Sequence, residues 1–194
     1  MTGARGRSLQ TDSARQHRIQ RGCGEDISFE LELIERFGMT VHCFDPSPVG
    51  AETAERAGRK DRRLIFRPVG LAATAVPLTF ETTDSQPGTM HHWYKPTTKS
   101  SAVAVAECTT IPAEMHRNGH SHIDLLKLDI EGFEYEVLES CLDAGIRPGQ
   151  ICVELHHFFP NLSWKQSMGI LWRLRRCGYR LVHKHYYDYT LIRT

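Results

Sequence analysis

Residues 123–132 read IDLLKLDIEG. An apolar run carries Lys127 and Asp129 within it and ends on Glu131 and Gly132. Strand alternation puts Ile123, Leu125, Lys127 and Asp129 on one face, and Leu126, Leu128 and Ile130 on the other. A run apolar on both faces is the pattern of a strand buried inside a parallel sheet. Charge at its carboxyl end is what a ligand crevice in such a sheet requires.

The flanking segments alternate in the same sense. Downstream, residues 131–145 predict a helix that aligns Phe133 with Val137 and Cys141, and Leu138 with Leu142. Residues 150–158, QICVELHHF, predict a strand with Cys152, Glu154 and His156 on one face. An amphipathic helix over 161–178 follows, closed by Gly178, and then a strand pair over 179–193 with antiparallel character. Upstream, residues 26–38 predict a helix with Ile27, Leu31 and Ile34 on one face, Phe37 nearby and Gly38 as its stop. Residues 39–45 predict a strand ending on Asp45. Ser47 and Pro48 start the next helix and Gly58 ends it. Strands are expected over 63–72, where Pro68 stops the pairing, over 75–81 and over 102–108, with a short helix over 109–119. The polar stretch 82–101 between them predicts a long loop. Together these segments predict an α/β, Rossmann-like fold. Its central sheet is mostly parallel, has helices on both faces and carries an antiparallel C-terminal strand.

Composition bounds the function. The chain has 194 residues, 40% of them hydrophobic and 24% charged, which is the profile of one globular domain. Residues 1–18 are expected to be a disordered or truncated N-terminal segment, and 19–194 a single domain. A net charge of +1 gives no global reason to expect nucleic acid or an anionic membrane. No apolar run approaches the roughly 18–20 residues a membrane span needs. The six cysteines form no C-x-x-C pair and read as free thiols in a reducing, cytoplasmic setting.

Candidate functional residues collect where strands run out. Gly22 and Gly24 open the first long helix, where backbone amides can approach a ligand. Asp45 follows about 20 residues later, the spacing of a carboxylate that accepts ribose hydroxyls. Glu154 is expected to neutralise Lys127 across neighbouring strands. Asp129, Glu131, His156 and His157 are then left at the carboxyl edge. His156 is the first candidate for a general base and His157 the second. His91 and His92, in the 82–101 loop with Trp93 and Tyr94, are candidates for a lid. Asp129, Glu131, Glu154 and His156 have ligand chemistry for a divalent ion but no dedicated spacing, so no metal is expected.

The segments IDLLKLDIEGFEYEVLE, ICVELHH, VHCFDPSP and GCGEDISFELELIERFG resemble the FkbM-type S-adenosylmethionine-dependent methyltransferases over roughly residues 22–193. The resemblance implies S-adenosylmethionine as cofactor and a hydroxyl of a small molecule or glycan as acceptor. It implies that Gly22, Gly24 and Glu25 line the methionine part of the cofactor. Asp45 would hold the ribose, with Pro46 and Ser47 beside it, and Gly70 and Leu71 would lie near the adenine. Asp129 and Glu131 would face the methyl group and the substrate. Two positions depart from the general methyltransferase pattern: Gln20 stands where an acid is usual, and Asp26 where a third glycine is usual. A degenerate, non-catalytic binding module of the same fold is the alternative. A nicotinamide-dependent oxidoreductase fits less well, because Ile27 occupies the third glycine of G-x-G-x-x-G.

Overall fold

The computed structural model describes residues 17–21, 26–58, 61–81, 103–159 and 162–194. In chain order the elements are β1 (His17–Arg21), α1 (Ser28–Phe37), β2 (Thr40–Phe44), α2 (Pro48–Gly58), β3 (Leu64–Arg67), β4 (Gly70–Leu71), β5 (Leu78–Glu81), β6 (Val103–Ala106), β7 (Cys108–Thr109), α3 (Ile111–Asn118), β8 (Leu125–Leu128), α4 (Glu134–Asp143), β9 (Gln150–Glu154), α5 (Trp164–Arg176), β10 (Tyr179–His185) and β11 (Asp188–Arg193). The main sheet has seven strands in the order β10-β11-β9-β8-β1-β2-β3. The pairs β1–β2, β1–β8, β2–β3 and β8–β9 are parallel. β11 runs antiparallel to both β9 and β10. The strand order reverses between β1 and β8, which is where such a sheet opens a crevice at its carboxyl edge.

Two apolar clusters cover the two sheet faces. On one, Leu125 packs with Ile34 of α1, Ala54 and Ala57 of α2, and Val41 and Cys43 of β2. On the other, Leu126, Leu128 and Ile130 meet Ile111, Val137, Leu138, Ile170 and Leu174 from α3, α4 and α5. The alternation read along the β8 residues LLKL is therefore a partition between two helical layers, whereas Ile123, expected beside Leu125, precedes β8 and packs in the opposite cluster. Leu126 and Leu128 are fully buried.

Several boundaries move for identifiable reasons. The weakly apolar HRIQR becomes β1, a central strand held by β2 and β8. Pro68 splits the 63–72 run: β3 stays in the main sheet, while β4 leaves it to pair with β7. The 102–108 run divides likewise, into β6 paired with β5 and β7 paired with β4. In α1 the buried side chains are Glu30, Leu33 and Ile34, and Phe37 is exposed. The expected α1 and α2 ends hold. Gly38 closes α1 at φ 66°, its N–H donating to the Ile34 carbonyl at 3.0 Å. The Ser47 hydroxyl accepts the Gly50 N–H at 2.9 Å. The five described cysteines, Cys43, Cys108, Cys141, Cys152 and Cys177, are free.

Candidate functional site

The loop after β8 is built around Glu134, the first residue of α4. Its Oε1 accepts the Ile130 N–H at 2.8 Å and its Oε2 accepts the Gly132 N–H at 3.0 Å. A carboxylate bound to backbone amides at a helix start is favoured by both the amides and the helix dipole. The turn is tight. Glu131 has φ 53°, in the left-handed region that side chains rarely adopt, and Gly132 has φ 101°. A Cβ on Gly132 would stand 3.1 Å from Leu162 Cδ1. The strain at Glu131 aims its carboxylate into the space beyond β8 and β9.

His156 fills that space from the β9 side. It is 3% exposed. Its Nδ1 lies 2.8 Å from Glu134 Oε1. Its Nε2 faces Glu131 Oε2 at 3.5 Å, Asp129 Oδ1 at 3.9 Å and Glu154 Oε1 at 3.9 Å. Burial opposes its protonation, but the Glu134 hydrogen bond and the carboxylates of Glu134, Glu131 and Glu154 outweigh that and push its pKa up to about 9. Burial lifts Glu131 to about 7 against the attraction of His156, with repulsion from Asp129 adding to the rise. Burial also raises Glu154. Four carboxylates thus share one imidazole. Glu134 fixes the ring, and the other three face its free edge.

A cavity of about 120 Å³ adjoins these groups, lined by Lys127, Asp129, Cys152, Glu154, Asp188 and Thr190 among others. On the other side the His156 ring lies 5.0 Å from Phe159 and 5.5 Å from Phe158. Phe158 in turn lies 4.6 Å from Tyr187 and is half exposed.

The expected residues do not all meet. Asp129, Glu131 and His156 do. The expected Lys127–Glu154 pair does not form. The register sets Lys127 opposite Cys152, so Glu154 lies beyond, level with Asp129. Lys127 turns instead to buried Glu30 of α1 at 3.9 Å, over the Phe29 ring at 5.7 Å. His157 points the other way. Its Nδ1 lies 3.2 Å from the Ser167 hydroxyl, which meets the Tyr135 hydroxyl at 2.9 Å, and its ring packs edge-on against Tyr187. Leu71 is 2% exposed and belongs to the apolar core, and Gly70 packs where a Cβ would meet Cys108 Sγ at 2.9 Å. Gly22, Gly24, Glu25, His91 and His92 lie outside the described residues. Glu134 and Glu30 were not singled out in the sequence. Glu134 had a signal, an acid in the first helical turn after a glycine, where it can bind the turn's amides.

Asp45 stands at the end of β2, buried, its Oδ1 accepting the Ser47 N–H at 2.8 Å, with Pro46 between them. Gly50 of α2 makes the space for it: a Cβ there would lie 2.4 Å from Asp45 Cγ. A fixed carboxylate at this strand end fits a ribose diol. Asp129, Glu154 and His156 each offer a donor atom within 4.8 Å of the others, a spacing that a divalent cation could bridge.

The strand order, reversing between β1 and β8 and carrying the antiparallel β11, is that of a Rossmann-like methyltransferase fold, with the acid-lined crevice beyond β8 and β9. A family model described as the methyltransferase FkbM domain matches residues 22–181. The chain belongs to the FkbM methyltransferase family. No curated protein matches the chain. Among solved structures, a Methanococcus jannaschii fibrillarin pre-rRNA processing protein superimposes with a TM-score of 0.52 at 9% identity. That match covers 92% of this chain and 66% of the other. Monomeric WbdD gives 0.48 at 13% identity, covering 92% and 36%. A methyltransferase from Pyrococcus furiosus gives 0.45 at 14% identity, covering 92% and 74%. At 9% identity the fibrillarin likeness shows the fold alone. The chain spans under two thirds of the first two structures' own lengths. Among the described residues no helix is long and apolar enough to cross a membrane.

Proposed function

We propose that the protein is an S-adenosylmethionine-dependent methyltransferase acting on a hydroxyl of a small molecule or glycan, with His156 as the general base. The observation that carries this reading is the Glu134–His156 pair, 2.8 Å apart, whose free Nε2 edge looks into a group of carboxylates at the strand ends. The cofactor supplies an activated methyl group, and the chain supplies position, charge and a proton acceptor. Asp45 holds the ribose, aided by Ser47 and Pro46. Gly22, Gly24 and Glu25 cradle the methionine part, and the backbone at Gly70 and Leu71 borders the adenine.

Neutral His156 takes the acceptor hydroxyl's proton on Nε2; the bound cofactor would supply the methyl group and leave as a neutral thioether, its methyl–sulfur bond breaking as the oxygen–carbon bond forms. Glu134 holds the tautomer that leaves Nε2 free and stabilises the imidazolium that results. Asp129 and Glu131 accept hydrogen bonds from neighbouring hydroxyls and balance the positive charge passing through the site. His157, tied to Ser167 and Tyr187, supports the aromatic wall. The mixed lining of the cavity, with Asp129, Glu154 and Asp188 beside Val153 and Tyr189, and the half-exposed Phe158 favour a hydroxylated acceptor with an apolar ring face.

The test is His156→Ala. Turnover falls by the roughly 10²–10⁴-fold typical of a lost general base, while S-adenosylmethionine affinity stays within a factor of two or so. Unchanged turnover removes His156 from the mechanism.

A further inference from the structure

Helix α5 has two faces of different chemistry. Ser167, Ile170 and Leu174 are buried against the core. Trp164, Met168 and Trp172 fall four residues apart, so they line one stripe on the outside. They are 62%, 53% and 59% exposed. Single exposed apolar residues are ordinary, but a continuous stripe marks an interaction surface.

The charge of the helix is one-sided as well. It carries Lys165, Arg173, Arg175 and Arg176 and no acid. Arg173 binds Asp143 of α4. Arg176 stacks over the Trp172 ring at 4.7 Å. Lys165, Arg175 and Arg176 are exposed, and none has an acidic partner among the described residues. On a chain whose net charge is only +1, this is a local excess.

We propose that α5 rests in the headgroup region of an anionic lipid surface, with Trp164, Met168 and Trp172 at the headgroup level and Lys165, Arg175 and Arg176 on the phosphates. Three observations choose this occupant. Tryptophan and arginine together suit the boundary between headgroups and water, where an apolar ring and a cation are both satisfied. The exposed stripe is narrow and convex, because the opposite face of α5 is committed to the core; a partner groove that reads a whole apolar helix face would find only part of one. A second copy would bring three unpartnered cations against three more, which opposes self-association.

The placement bears on the crevice. Leu162, two residues before α5, packs at Gly132 in the loop that carries Glu131. A surface-bound α5 therefore holds the acid-lined crevice close to the lipid, where an acceptor attached to or emerging from a membrane would present its hydroxyls. This inference is independent of the His156 chemistry.

The experiment is co-flotation of the full chain with phosphatidylcholine vesicles, with and without about 30 mol % phosphatidylglycerol. The variants are Trp164→Ala/Trp172→Ala and Arg175→Glu/Arg176→Glu, all at exposed positions. The proposal expects binding to anionic vesicles at least about tenfold above neutral ones. It expects binding to weaken with salt and to drop about tenfold or more in each double variant. Equal binding to both vesicle types, no binding, or binding that neither double variant changes would overturn it. A dimer in light scattering that dissociates in the Trp164→Ala/Trp172→Ala variant would overturn it too, by making the stripe a self-association surface.

Discussion

Glu134→Gln tests the centre of the site, and its cost can be worked from the structure. Glu134 accepts from Ile130 N and His156 Nδ1 on Oε1, and from Gly132 N on Oε2. A glutamine can keep its carbonyl oxygen where Oε1 stands. Its amide group then faces the Gly132 N–H, donor against donor, and this partly buried N–H keeps only its longer contact to Oε1 at 3.3 Å, a loss of about 1–3 kcal/mol. The bond to His156 also falls from charge-assisted to neutral, a loss of about 1 kcal/mol. The expected destabilisation at pH 7 is about 2–4 kcal/mol. The charged part of that cost depends on pH with a definite sign. His156 is raised in the folded protein from 6.5 to about 9. Its contribution is fully present below about pH 6.5 and is lost as pH rises through 9. Urea denaturation of the wild type and the variant between pH 6 and 10 reads both parts. The gap should be largest near pH 6 and narrow above 9, leaving the Gly132 amide cost behind. A variant as stable as wild type at pH 7, or a gap that does not change with pH, would refute the reasoning.

Three further outcomes follow from the same geometry. Gly50→Ala puts a methyl group 2.4 Å from Asp45 Cγ, so the carboxylate must move or the helix must shift. Stability should fall by about 1–3 kcal/mol and S-adenosylmethionine affinity by about tenfold or more, checked by denaturation and calorimetry. Turnover at saturating substrates should climb with pH towards about 9, as His156 loses its proton, and Glu134→Gln should move that limb to lower pH. Activity should survive exhaustive chelation; loss of activity restored by a divalent ion would assign Asp129, Glu154 and His156 to a metal and end the role of His156 as base.

Much of this architecture is legible from IDLLKLDIEG outwards. The alternation of Leu125 against Leu126 and Leu128 reports a strand between two helical layers, because each face must be apolar to be buried. The charges at Asp129 and Glu131 report the crevice, because charge is tolerated where the strand ends. What resists reading is register and long-range choice. Lys127 carries no mark that would tell a partner on β9 from one on α1; only the offset that sets it opposite Cys152 decides for Glu30. β1 is hard to recognise because HRIQR has one clearly apolar residue, and its place is fixed by two neighbouring strands. His156 and His157 are adjacent in sequence and look equivalent, yet the turn that follows β9 sends one to Glu134 and the other to Ser167. The run 63–72 reads as one strand, yet β4 leaves the main sheet after Pro68 to pair with β7, and the Leu71 side chain is committed to the core.

The central claim is that this FkbM-family chain binds S-adenosylmethionine at the strand ends and uses it. The most direct measurement is a thermal-shift titration with S-adenosylmethionine, S-adenosylhomocysteine and NAD, since a ligand stabilises the folded state in proportion to the logarithm of its excess over Kd. The account predicts a concentration-dependent rise in Tm with the first two, none with NAD, and a rise that Gly50→Ala blunts. Stabilisation by NAD alone, or by none of the three, would contradict it.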